Sequence, residues 1–194
     1  MHEEAISEAR ERVLQVAERL FMERGYASVT LRDIADGLQM RPASLYNHAP
    51  GGKEELFIAV VERAMARHRA GIDRAVGDAE PNIRAQLRAA ARWLISQPEM
   101  DLARMLRSDA LALHGDQSRR LEQLAYESLF MPLQRVIDAS YRRGEIRHVA
   151  SGLMAGLFLT MINALHSAHH YSGVPLEALA DDTIDVLLEG AYRR

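Results

Sequence analysis

The sequence predicts an all-α protein of about nine helices, in which an N-terminal three-helix unit precedes a larger helical domain. Three observations predict it. Apolar residues recur at i, i+3, i+4 and i+7 along most of the chain. Glycine and proline fall between those runs, where they act as stops. No stretch of alternating β-branched residues is long enough to form a strand.

The first helix is expected from about Glu3 to Arg24, with a stripe of Ile6, Ala9, Val13, Val16, Ala17, Leu20 and Phe21 and a stop at Gly25. Thr30 then opens a short helix. Asp33 follows three residues on, as in a capping box, and Leu31, Ile34, Ala35 and Leu38 form its apolar face. Pro42 begins a third helix running to His48, since proline suits a first helical position. After Ala49-Pro50-Gly51-Gly52 a longer helix is expected from near Lys53, carrying Phe57, Val60, Val61, Ala64, Met65 and His68 toward a loose stretch with Gly71, Gly77 and Pro81. Five more helices are expected over about 81–97, 99–114, 118–143, 145–171 and 175–193. The domain division is placed at 1–54 and 55–194.

Composition narrows the function classes. At 48% apolar and 26% charged residues the chain reads as a folded soluble protein. With no cysteine, thiolate metal sites and cysteine nucleophiles are excluded. The N-terminus is charged from its third residue and lacks an apolar signal, so a cytoplasmic protein is expected. The stretch from Val149 to Pro175 is uncharged but contains Asn163, His166, His169 and His170, and reads as a buried helix rather than a membrane span. A net charge of −3 argues against indiscriminate coating of nucleic acid while leaving room for a local basic face.

Helices of about nine and seven residues are too short to persist alone and must pack on the first. A trihelical unit ending in a tight helix-turn-helix presents its second short helix to the DNA major groove. With Leu45 inward, Ala43 and Asn47 point outward, flanked by Ser44 and Tyr46, and no carboxylate lies between Asp36 and Glu54. Asn47 can bind an adenine edge, Ala43 can meet a thymine methyl, and Arg41 can reach guanine or phosphate. The hydroxyls of Ser44 and Tyr46 suit phosphate oxygens. Thr30 and the amides at its helix start are expected to seat a phosphate, and Lys53, the only lysine beside 23 arginines, to clamp another at the far margin. His48 falls near the core side of the wheel.

From about Arg10 to Leu56 the residues "VLQVAERLFMERGYASVTLRDIA", "SLYNH" and "KEEL" resemble the DNA-binding domain of TetR-type (tetracycline-repressor-like) transcriptional regulators. The resemblance implies that Thr30, Ser44, Tyr46, His48 and Lys53 contact DNA, while Arg41, Pro42, Ala43 and Asn47 hold operator-setting positions. It implies a non-enzymatic regulator without cofactor: a homodimer on a palindromic double-stranded operator, most simply a repressor released by a small-molecule effector. Activation from the same fold is the alternative. Three departures stand out. Gln39 replaces a usual turn glycine, Ala49 a usual phenylalanine, and Pro50-Gly51-Gly52 is one residue longer than the common loop.

In the larger domain, the helix from Glu145 to Tyr171 is apolar almost all round. The last helix carries Leu176, Leu179, Ala180, Ile184, Leu187, Leu188 and Ala191. Two such helices per chain can build a four-helix, two-fold interface, as the family does. Met105, Met154 and Met161 with Trp93, Phe130 and Phe158 suit an adaptable apolar pocket, and Asp109, His114 and His166 are the polar groups expected to orient a ligand. That a pocket exists among them rests mainly on the resemblance. His166, His169 and His170 share one helical face and leave a metal-binding helical protein as a minor alternative; no metal is assigned.

Overall fold

The computed structural model describes residues 2–97, 113 and 115–189, and among them every regular element is helical. They form two compact units, 2–64 with 113 and 115–124, and 65–97 with 125–189. The helix expected over 99–114, with Met105, Asp109 and His114, lies outside the described residues.

The first unit contains α1 (His2–Arg24), α2 (Leu31–Gly37), α3 (Pro42–Leu45) and the start of α4 (Gly52–Asp78). Its core is the predicted stripe of α1, with Val13, Ala17, Leu20 and Phe21 buried beside Ile34, Ala35, Leu45, Leu56, Phe57, Val60 and Val61. Three rings tie its ends together. Phe21 meets Phe57 edge-on at 5.4 Å, and Tyr26 lies 4.8 Å from Phe57 and 6.0 Å from Phe21.

α3 is shorter than the sequence suggests. Only Pro42–Leu45 is α-helical, and Tyr46 to His48 form turns in which the amides of Asn47 and His48 bond back to Ser44 and Leu45. Pro50 bars any longer helix, because the residue before a proline is disfavoured in helical conformation.

The second unit contains the remainder of α4, α5 (Ile83–Ile95), α7 (Met131–Arg142), α8 (Ser151–Ser172) and α9 (Leu176–Glu189); α6 (Gln117–Ala125), between α5 and α7 in sequence, falls in the first unit except for Ala125. α9 packs on α5 and α8, and α7 on α8. Between α6 and α7, Tyr126–Phe130 forms a π turn, closed by the Met131 amide on the Tyr126 carbonyl. Pro132 accounts for it. Its nitrogen cannot donate to Ser128 and its ring would strike that carbonyl, so the helix widens just ahead of it.

Two further expectations are corrected. α4 does not loosen at Gly71; it runs to Asp78. Gly71 is a packing residue, because a Cβ there would lie 1.9 Å from Cε2 of the Trp93 indole. α8 begins at Ser151, not Glu145. Gly144 ends α7 in a left-handed conformation, Ile146 is fully buried, and Glu145 Oε2 accepts the Ile83 amide of α5 at 2.7 Å. Residues 145–150 are thus pinned as a connector before the helix starts.

α8 is long and apolar enough to cross a membrane by length and composition, but one face packs inward through Met154, Ala155, Phe158, Leu159, Ile162 and Leu165. The other face is open in the single chain: Leu153 is 66% exposed and Leu157 46%, beside Val186 of α9 at 65%. The expectation of burial on most sides is therefore met on one side only.

Gly71→Ala is expected to cost about 1–3 kcal/mol, since the indole must move. Gly77→Ala in the same helix, with nothing within 4 Å, is expected to gain up to about 0.5–1 kcal/mol from helix propensity. Urea unfolding of both variants checks the contrast.

Candidate nucleic-acid interface

The turn between α2 and α3 has a residue in left-handed conformation at Gln39, with φ 55°, the only non-glycine with positive φ among the described residues. The Met40 amide bonds to the Ala35 carbonyl at 3.0 Å and closes the turn. α3 then leaves with Leu45 buried and Arg41, Pro42, Ala43, Tyr46 and Asn47 exposed. Ser44 and His48 are half-buried, as the helical wheel places them. Arg41, Ala43 and Asn47 thus form one outward surface, with Tyr46 at its edge, 54% exposed. Of these, Pro42 and Ala43 lie in α3, Arg41 caps its start, and Tyr46 and Asn47 fall in the turn that follows it.

Thr30 is arranged differently from a bare phosphate seat. Its backbone amide donates to Asp33 Oδ2 at 2.7 Å, and its hydroxyl accepts the Asp33 amide at 3.1 Å. The capping box is complete, and a carboxylate occupies the helix start. An incoming phosphate would meet the Thr30 side and the amides of Leu31 and Arg32, not an empty helix end. Hydrogen bonds from the Thr30 hydroxyl and amide, helped by Arg24, hold the Asp33 carboxyl below its ordinary value.

Lys53 is tethered. Its Nζ donates to the Tyr26 carbonyl at 3.0 Å and lies 4.2 Å from the Tyr26 ring centroid. One of its three N–H groups is used in this way, and the others are available to an acceptor from outside. Burial, with Glu54 nearby, pushes the Tyr26 phenol up. The ammonium therefore stands at a fixed point beside the first turn of α4.

Sequence reasoning missed a second tie. Arg10 of α1 donates through Nη1 to the His48 carbonyl at 2.6 Å and through Nη2 to Glu55 Oε1 at 3.1 Å. Separations of 38 and 45 residues leave no local signal for either bond.

The residues expected around an effector are spread over the second unit. Trp93 lies on Gly71, with its indole nitrogen lacking a hydrogen-bond partner. Met154 and Phe158 are buried, and Phe130 stacks on Tyr126 at 5.9 Å. Met161 and His166 are half-buried, and His166 Nδ1 has no partner. Of these residues Met154 lines one of two cavities bounded by described residues, and the other includes none of them. One of about 240 Å³ is bounded by Leu153, Met154, Leu157 and Leu187, and one of about 620 Å³ lies between the end of α4 and α5. Both Arg84 and Arg88 of the larger one are paired, with Asp185 and Asp181. His169 Nδ1 sits 2.6 Å from the Val174 carbonyl, and no group of three His, Asp or Glu side chains able to hold a metal occurs among the described residues.

Comparison with known proteins agrees with this geometry. Residues 13–60 match the family described as bacterial regulatory proteins, tetR family. The chain is 35% identical over 71 residues to the HTH-type transcriptional repressor KstR2 of Mycobacterium tuberculosis, covering 35% of this chain and 36% of that one. It is 43% identical over 54 residues to the HTH-type transcriptional regulator LmrA of Bacillus subtilis, covering 28% and 29%. The matches span only about a third of the length of these curated relatives. Among solved structures, AibR in complex with isovaleryl coenzyme A and operator DNA superposes with a TM-score of 0.75 at 24% identity, covering 91% of this chain and 96% of that one. A putative transcriptional regulator from Saccharomonospora viridis in complex with choline gives 0.75 at 20% identity, covering 97% and 100%. The fold is shared with these structures, and the N-terminal unit is a helix-turn-helix of the kind the tetR family model describes. That match is confined to the N-terminal unit, about a quarter of the chain.

Two predictions follow from the local geometry. Gln39→Gly is expected to stabilise the fold by up to about 1 kcal/mol, because the left-handed strain it relieves exceeds the chain freedom it adds. Matched thermal melts check this. The folded Asp33 carboxyl lies below its unfolded value of 3.8, so its contribution is present above that value and lost as pH falls through the lower folded one. Between pH 6 and pH 3 the wild type should lose more stability than Asp33→Asn, read from urea midpoints at each pH.

Proposed function

We propose that this protein is a ligand-responsive transcriptional repressor that binds a palindromic DNA operator as a homodimer. The observation that carries the reading is the outward surface of Arg41, Ala43 and Asn47, braced from behind by buried Leu45. In this reading residues 1–54 read DNA and 55–194 bind the effector and dimerise. Asn47 takes an adenine edge, Ala43 contacts a thymine methyl, and Arg41 takes guanine or phosphate. Pro42 fixes the start of the helix. Thr30, Ser44, Tyr46, His48 and Lys53 supply the surrounding phosphate contacts.

The open apolar face of α8 and α9 supports pairing of two copies, which sets two reading helices about one DNA turn apart, roughly 34 Å. Relatives described as a transcriptional repressor, and fold neighbours bound to isovaleryl coenzyme A with operator DNA or to choline, support repression and a small-molecule effector. Release is a population shift: an effector that prefers the state in which the two reading helices are out of register draws the protein off DNA. A non-enzymatic, cytoplasmic protein fits this role. Activation is the same binding event at a differently placed operator.

The test is fluorescence anisotropy of the full chain on a duplex obtained by selection from random DNA, against a scrambled duplex, over a salt series. Selective binding with a steep salt slope is expected. Equal weak binding to all duplexes overturns the reading. Asn47→Ala is expected to lose about 1–3 kcal/mol of discrimination while leaving the salt slope in place.

A further inference from the structure

The link between the reading turn and α4 contains two successive glycines, Gly51 and Gly52, and Gly52 has φ 72°. Such a link is the least constrained kind of backbone, because glycine restricts neither φ nor side-chain packing. Yet everything the reading surface does depends on the angle at which Ala43 and Asn47 are offered.

Three hydrogen bonds converge on this link. Arg10 Nη1 holds the His48 carbonyl at 2.6 Å, and Nη2 holds Glu55 Oε1 at 3.1 Å. The second oxygen of Glu55 accepts the Gly51 amide at 2.7 Å. A single guanidinium therefore joins α1 to the turn that follows α3, at His48, and to the first turn of α4. The same carboxylate closes the glycine loop from the other side.

The side chains are 41% and 33% exposed, so their attraction is screened and adds little stability as an ion pair. What a planar fork supplies instead is direction, because both acceptors must lie in its plane. We propose that Arg10 and Glu55 form a latch that sets the orientation of the reading turn. Arg10 is then a positioning residue for base recognition, acting through the His48 carbonyl and not on DNA. This rests on the DNA-binding reading above.

The experiment compares the full-length wild type with Arg10→Gln, Arg10→Lys, Glu55→Gln and the double variant Arg10→Gln/Glu55→Gln, each checked for folding by circular dichroism. Amide hydrogen exchange over residues 47–52 is measured without DNA, and anisotropy is measured on the selected and scrambled duplexes across salt. Exchange in that segment is expected to speed up about tenfold in either glutamine variant, with little more in the double variant, as for two members of one interaction. Selective affinity should fall about five- to tenfold, with scrambled binding and the salt slope unchanged. Arg10→Lys should not restore selectivity, since an ammonium does not fix a plane.

A salt slope smaller by about one in Arg10→Gln would make Arg10 a phosphate contact and overturn the latch. Unchanged exchange, or unchanged selectivity in a folded variant, overturns it equally. If the wild type selects no duplex at all while exchange still responds, the DNA reading itself fails and the latch has nothing to position.

Discussion

The N-terminal unit depends on the contact between Phe57 and the aromatic pair Phe21 and Tyr26. Neither α2 nor α3 can persist on its own; α3 has four residues, about one helical turn. Each exists only because α1 and α4 form a surface for Leu45, Ile34 and Ala35 to cover. The three rings add to that surface, since edge-on and offset aromatic pairs contribute about 0.5–1.5 kcal/mol beyond their burial. Burial of Leu45 then fixes the rotation of α3, and rotation is what decides which residues face out. The outward set of residues on so short an element is thus a consequence of core packing.

Electrostatics in this unit work by omission as much as by positive charge. The whole chain is acidic, at −3, but no carboxylate interrupts the segment between Asp36 and Glu54. Two acids close to that segment are engaged by donors, Asp33 by Thr30 and Glu55 by Arg10 and Gly51, and Asp36 at its edge lies 3.9 Å from Arg32. A carboxylate engaged by donors repels an approaching phosphate less than a free one. A surface for a polyanion can thus arise on an acidic protein without a dense basic patch.

Much of this was legible in the sequence, and what was not has a common cause. The stripes of α1 and α2, the Thr30 capping box, the left-handed Gln39 and the inward turn of Leu45 are set by residues within about four positions of one another, where pattern and geometry coincide. The misread features depend on partners far away. Gly71 reads as a breaker until Trp93, 22 positions on, is seen to occupy its missing side chain. Glu145 reads as the start of a helix until its carboxylate is found on the Ile83 amide, 62 positions back. Burial tips the Glu145 carboxyl upward, but Arg143 and the Ile83 amide outweigh it and leave the group below its ordinary value, as fits a working cap. An effector pocket is the kind of feature a sequence renders least legible. A pocket wall is defined by which side chains converge, and composition carries no record of convergence.

The same reasoning explains the solitary lysine. Arginine serves this chain as a cross-brace wherever a carboxylate can be gripped: Arg63 on Glu11, Arg120 on Glu62, Arg135 on Asp73, Arg88 on Asp181. At position 53 the acceptor is a backbone carbonyl, and the same cation must also lie over the ring of that residue. A guanidinium prefers to lie flat on a ring, which turns its N–H groups sideways and away from a carbonyl set close to the ring's own backbone. An ammonium has no plane and can do both at once, with a donor to spare. The lysine is thus the residue type that can grip the Tyr26 carbonyl and lie over its ring at once, two roles that an arginine is poorly shaped to combine.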